Sequence, residues 1–174
     1  MGHILIHPDD RLREPSVKVD LTNKEQLRAL VLKLWGVFRK TKGLGLSAIQ
    51  IGIKERLFIM HAPDSLLEFV ANPVYFTPEG SEERLVEEGC LSFPGIFQEV
   101  PRFPEIWAHY YSIHPHTGEA EEVSTNLSGI KAQIFQHEFD HLDGRLLVDG
   151  IDPKQAKTIT NKLKKWKMKG YTYP

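Results

Sequence analysis

Between Lys24 and Phe38 the apolar residues Leu27, Leu30, Val31, Leu34 and Phe38 recur three and four positions apart. That spacing puts them on one face of a helix. Thr22-Asn23-Lys24-Glu25 carries the hydroxyl-to-carboxylate offset of a capping box, which predicts the helix start. Gly43 ends the region. Arg56–Met60, Phe69–Asn72 and Ile106–Ile113 are rich in β-branched and aromatic residues and predict strands. His114-Pro115-His116-Thr117-Gly118 reads as a solvated turn between strands rather than a metal site. From about Ser128 to Leu142 there are two stripes at helical spacing. One is Ile130, Ile134, His137 and His141; the other is Ala132, Phe135, Phe139 and Leu142. A helix apolar on more than one side belongs inside a domain, with the histidine stripe facing a cleft. Asp152-Pro153 supplies an N-cap and first-turn pair for a last helix, on which Ile159, Leu163 and Trp166 align.

Composition narrows the class. With 41% hydrophobic and 26% charged residues, the 174-residue chain suits one globular domain, 1–174, with its own core. A net charge of −1 argues against wholesale nucleic-acid binding. No apolar run approaches the roughly 20 residues of a membrane span, so no membrane is expected. The start, Met1-Gly2-His3-Ile4-Leu5-Ile6, lacks a signal-peptide or transit-peptide layout, and Ile6 stands where myristoylation needs Ser or Thr. One cysteine and no targeting segment predict a cytoplasmic protein. Residues 153–174 hold seven lysines and no acid, so the stretch 153–169 is either a solvated helix face or a surface for an anionic partner.

Chemistry enters with Gln136-His137-Glu138-Phe139-Asp140-His141-Leu142. His137 and His141 are four apart, so both imidazoles can reach one ion from a single helical face. Glu138 then sits where it can move a proton for a metal-bound water. Two histidines leave a catalytic metal one protein ligand short. Downstream of His141 there is no further Glu or His, and Leu147 occupies the place of the third histidine in the H-E-x-x-H-x-x-G-x-x-H pattern. Asp143, Asp149 and Asp152 read as turn and capping residues. The third ligand must come from upstream, where the single cysteine stands in Glu88-Gly89-Cys90-Leu91-Ser92. A lone cysteine is either an inert buried residue or a metal-bound or reactive thiolate. Gly89 allows close backbone approach, and Cys with two His suits Zn²⁺ or Fe²⁺.

These segments, with Gly43-Leu44-Gly45-Leu46-Ser47-Ala48-Ile49-Gln50 before them, resemble the three ordered motifs of the peptide deformylase family. The resemblance spans nearly the whole chain, from His7-Pro8-Asp9-Asp10-Arg11-Leu12-Arg13 to the C-terminal helix. It implies a metal hydrolase that removes the N-formyl group from the formyl-methionine of nascent polypeptides. It also implies Fe²⁺ at Cys90, His137 and His141, a site whose geometry would equally accept Zn²⁺, Ni²⁺ or Co²⁺. By the same resemblance Glu138 is the general base, and the Gln50 side-chain amide and Leu91 N–H meet the oxyanion. Gly45 and Gly89 give access to an extended peptide, while Leu44, Ile130 and Ile134 line the methionine pocket. The basic C-terminal helix is associated with ribosome (rRNA) binding in bacterial members.

The expected fold is α+β, with mixed or antiparallel sheets around a central H-E-x-x-H helix, an N-terminal helix and a C-terminal helix. Ser47 stands where the family usually has Ala, and Lys42 where an acid is common. Neither is expected to touch a metal ligand or Glu138. Gln133 lies among usually apolar positions of the pocket helix, and Arg102 is a structural or substrate-contacting cation. An H-E-x-x-H protease and a ribosome-associated module with a structural metal are the alternatives. The first is disfavoured by Leu147 and the Glu-free tail, the second by the absence of another cysteine to close the site.

Overall fold

The structure, a computed structural model, describes residues 3–168. Its helices are α1 (Lys24–Phe38), α2 (Gly129–Leu142) and α3 (Pro153–Met168). Its strands are β1 (Gly45–Ser47), β2 (Leu57–Met60), β3 (Glu68–Phe76), β4 (Arg84–Gly89), β5 (Phe97–Arg102), β6 (Glu105–Ile113) and β7 (Ala120–Ser128). Five strands form an antiparallel sheet in the order β1-β2-β3-β6-β7, and β4 and β5 pair separately. The architecture is α+β, as expected, and every ladder between strands is antiparallel.

The periodic segments became elements for the reasons their patterns suggest. Leu27, Val31, Leu34 and Phe38 are buried along α1. The N-cap is Asn23, one residue later than the Thr22 offset implied. Its side chain accepts from the Gln26 N–H, whereas the Thr22 hydroxyl and N–H both donate to Asp20 Oδ1. The strand expected to stop at Asn72 runs on to Phe76. At Asn72 φ is 48°, and the register with β6 shifts between Ala71 and Val74. Pro73 has no N–H to give, so a bulge absorbs it without ending the strand. Asn72 instead pins the neighbouring segment, its Oδ1 accepting from Val19 N–H and its Nδ2 donating to Val19 O.

Three apolar clusters set the frame. The first lies under α1 against β1 and β2. The second takes Ala132, Phe135 and Leu142 of α2 onto Phe58, Val70, Ile106 and Tyr110 of the sheet. Phe135 meets the Phe58 ring edge-on at 5.3 Å, an orientation aromatic pairs favour. The third joins Ile159 and Leu163 of α3 to Leu12, Phe93, Ile96 and Leu147. Leu147 is thus a core residue, which accounts for its place at the absent-histidine position. Asp152 caps α3 by accepting from Lys154 and Gln155 N–H, while Asp143 and Asp149 pair with Arg56 and Arg13. His114 to Gly118 forms the β6–β7 turn. Among the described residues no helix is long and apolar enough to cross a membrane. Lys169, the last residue of the expected basic helix, lies outside the described residues.

Candidate metal centre and its pocket

Helix α2 presents its Ile130–Ile134–His137 stripe to a cavity of about 360 Å³. Its walls are Gly43–Gly45 leading into β1, Glu87–Leu91 at the end of β4, the turn that follows, and α2 itself. Nearly all the residues singled out by sequence line it: Leu44, Gly45, Gln50, Gly89, Cys90, Leu91, Ile130, Ile134, His137 and Glu138. His141 sits one helical turn deeper, 2% exposed. Gln133, also in the wall, donates from Nε2 to Glu87 O at 3.2 Å.

Cys90, His137 and His141 offer three ligand atoms, all within 4.8 Å of one another. Cys90 Sγ is 3.2 Å from His141 Nε2, and the two imidazole centroids are 5.0 Å apart. This is the only such His/Cys/acid group among the described residues. The surroundings fit a cation. His137 Nδ1 hydrogen-bonds Glu88 Oε2 at 2.8 Å, which leaves Nε2 for the centre. Burial alone would keep His137 neutral, yet Cys90 and Glu88 together raise its pKa well above the ordinary value. A positive charge is therefore favoured where the three donors meet. His141 is shifted well below its ordinary value, first by burial and then by the nearby His137 charge. Its Nδ1 is buried without a partner, so a second imidazolium there would be costly and the ring stays neutral, as a ligand must.

Glu88 is held on two sides. Arg102 donates from Nε to Oε1 at 2.8 Å and from Nη2 to Oε2 at 3.0 Å. Arg102 also reaches Asp140 Oδ2 at 2.6 Å and is 8% exposed, so it is structural and does not face the pocket. Burial pushes the Glu88 carboxyl up, but His137 and Arg102 outweigh it and bring the pKa to about 2. Glu138 has only weak support. Burial is the largest influence and raises it to about 7, against a partial pull from His137 and Ser47.

Ser47 overturns the expectation that it does not touch Glu138. Its hydroxyl is 2.6 Å from Glu138 Oε2 and 2.9 Å from the Glu138 carbonyl. The contact was invisible in sequence because the two residues are 91 positions apart. Its backbone N–H donates to Gln50 Oε1 at 2.8 Å, which turns Gln50 Nε2 towards Ser92 Oγ (3.0 Å) and Cys90 Sγ (3.6 Å). Leu91 N–H makes no hydrogen bond to another described residue. The exposed Lys42 touches neither Glu138 nor a ligand candidate and stands at the cavity rim.

Chemically, the pocket ends in a soft-plus-imidazole donor set beside a buried carboxyl that exchanges its proton near neutrality, with an amide N–H₂ and a backbone N–H close by. The comparisons agree with that arrangement. The family model described as polypeptide deformylase matches residues 1–157. A peptide deformylase from Zymomonas mobilis is 36% identical over 169 residues, covering 93% of this chain and 92% of that protein. One from Thermotoga maritima is 35% identical over 166 residues, covering 94% of each. The crystal structure of peptide deformylase from Ehrlichia chaffeensis superposes with a TM-score of 0.85 at 26% identity, covering 98% of both chains.

Proposed function

From the premise that this chain belongs to the polypeptide deformylase family, we propose that its pocket carries out the family's reaction with the residues placed there. The chain hydrolyses the N-formyl group of new polypeptides, releasing formate and a free amine. One observation carries the assignment of roles: Cys90, His137, Glu138 and Gln50 line one cavity, with His141 beside Cys90 to complete the three-donor group.

Cys90, His137 and His141 would hold a divalent metal, which would supply Lewis acidity and lower the pKa of water from about 15.7 towards 7. Glu138 takes the proton from the attacking water and returns it to the departing amine nitrogen. Its pKa of about 7 suits both halves of that exchange. Gln50 Nε2 and Leu91 N–H face the formyl oxygen and donate to it as negative charge develops. The peptide lies extended between β1 and β4. Each is an outer strand of its sheet, and the Gly45 and Gly89 backbones line the gap. Leu44, Ile130 and Ile134 receive the methionine side chain. Fe²⁺ is the expected ion; Zn²⁺, Ni²⁺ and Co²⁺ suit the same donors.

Metal content and formate release, measured on anaerobically purified protein with a formyl-Met peptide, test this reading. Cleavage of internal peptide bonds without formate release would overturn it. The single partly buried cysteine fits a reducing cytoplasm. The exposed lysines of α3 fit an rRNA phosphate surface. Deleting α3 is a poor test of that, since Ile159 and Leu163 share a core with Phe93 and Ile96 beside the pocket. Replacing Lys154, Lys157 and Lys165 by Gln should weaken co-sedimentation with ribosomes, most at low salt, and make it less dependent on salt. Unchanged sedimentation would reduce the lysines to a solvated face.

A further inference from the structure

The β1 strand holds Glu138 between two residues of one strand face. A Cβ on Gly45 would collide with Glu138 Oε1. Two residues along, the Ser47 hydroxyl meets Oε2 at 2.6 Å. Ser47 is fully buried and Glu138 is 3% exposed. Among the described residues no other group hydrogen-bonds this carboxyl. We propose that Ser47 is a positioning residue for the proton carrier: its hydroxyl ties down Oε2, so that Oε1, over the Gly45 backbone, is the oxygen presented to the pocket. The inference rests on the reading of Glu138 given above.

The geometry explains how a residue can aim a base without disabling it. The Ser47 hydroxyl has one hydrogen and two acceptors in reach, Oε2 at 2.6 Å and the Glu138 carbonyl at 2.9 Å. While the carboxylate is charged, Oε2 attracts the hydrogen more strongly. Once Oε1 carries a proton, the same hydrogen can turn to the carbonyl. The hydroxyl is satisfied in both states, and the carboxyl keeps one rotamer through the cycle. The Ser47 amide adds a second hold on the site through Gln50 Oε1. Any residue at 47 retains that backbone bond, so side-chain substitutions isolate the hydroxyl. In an alanine variant, Oε2 would sit buried with no protein donor, and the carboxyl would be free to turn.

The test uses the metal-loaded full chain and a formyl-Met-Ala peptide, with Ser47→Ala, the equal-sized pair Ser47→Thr and Ser47→Val, and Glu138→Gln. Ser47→Ala and Ser47→Val should lower kcat about tenfold, the scale of one hydrogen bond to a charged group. KM should stay within about twofold and metal stoichiometry should not change, because neither the pocket wall nor the ligands are touched. Ser47→Thr, which restores the hydroxyl, should recover most of the loss. A purely structural role would lower the unfolding midpoint of the metal-free protein and leave kcat alone. Wild-type kcat in Ser47→Ala, or equal rates for Thr and Val, would overturn the inference. If the Thr and Val variants do not fold, the alanine variant decides alone. An inactive Glu138→Gln beside a fully active Ser47→Ala sinks only the role of Ser47. An active Glu138→Gln removes the reading of Glu138 and this inference with it.

Discussion

Two glutamates flank the histidines of the candidate metal group, one from β4 and one from α2, and they are almost equally buried: Glu88 is 5% exposed and Glu138 3%. Their titration is opposite. Glu88 is brought down to about 2 and Glu138 raised to about 7. Burial pushes both upward, so burial cannot account for the difference. The partners do. Glu88 accepts two bonds from the Arg102 guanidinium and one from His137. Glu138 has a neutral hydroxyl and a glycine that makes room. A carboxylate kept charged serves as a fixed orienting group for a ligand, whereas one whose pKa lies near neutrality can carry a proton. One site thus holds a carboxylate kept charged and one poised near neutrality from the same side chain, by changing only what each touches.

The sharpest way to break this contrast is to make the same isosteric change at both positions. Glu138→Gln should lose at least about 10³ in kcat, the upper range of general acid–base effects, while keeping full metal stoichiometry. Glu88→Gln should keep measurable turnover at saturating metal. It should lose about 10–100-fold in metal affinity through the disoriented His137, and less stability than the about 3–5 kcal/mol of breaking an isolated buried pair, because Arg102 keeps its bond to Asp140. Metal analysis, steady-state rates and urea unfolding of the two variants give all three readouts. Loss of metal in Glu138→Gln, or full metal affinity in Glu88→Gln, would exchange or erase the two roles.

How much of this could be read from the chain differs between the two glutamates. The H-E-x-x-H spacing marks Glu138 directly, since helical periodicity puts it beside the two histidines. Glu88 was only a letter in a motif. Its role depends on Arg102, which is opposite Arg84 in the β4–β5 ladder, and neither strand was predicted. Burial does alternate along those strands, but hydrophobicity does not follow it: Glu88 and Arg102 turn inward while Leu85 and Phe97 are exposed, so the sequence shows no half-buried pattern. The three-residue β1 was too short to signal itself, and with it the Ser47 contact was missed. By contrast, α1, α2 and α3 were legible because each buries a continuous stripe. What sequence conveys is a residue's own face. It does not convey which distant strand will come to rest against that face.

The pH dependence of stability separates the pair more finely. In the metal-free protein Glu138 holds its proton up to about pH 7, while in the unfolded chain it titrates near 4.5. Between those values the native state binds the extra proton, so stability falls as pH rises and levels off above 7. Glu88 has the reverse sign. Its contribution is complete above 4.5 and is lost as pH falls towards 2. Relative to wild type, Glu138→Gln should therefore gain about 3 kcal/mol between pH 4.5 and pH 8. Urea unfolding at several pH values checks this. Parallel curves for the two proteins would mean that Glu138 is ordinarily charged when buried, and the contrast would lose its electrostatic basis.

The smallest expected effect probes which bond to Arg102 matters. Asp140 accepts Arg102 Nη1 at 2.6 Å and Arg145 Nη2 at 2.9 Å, but it is partly exposed at the edge of the network. Its replacement by Asn keeps an acceptor oxygen in place and leaves both Arg102–Glu88 bonds intact. Asp140→Asn should cost only about 1 kcal/mol, the scale of a partly solvated ion pair. Metal affinity should change by no more than about threefold, because His137 still meets a charged Glu88. Competition with a chelator measures the affinity. If Asp140→Asn loosened the metal as much as Glu88→Gln, orientation of His137 would belong to the whole Arg102 network. Glu88 would then act only as one member of it, and the comparison between the two glutamates would have to be redrawn as one between a carboxyl and a cluster.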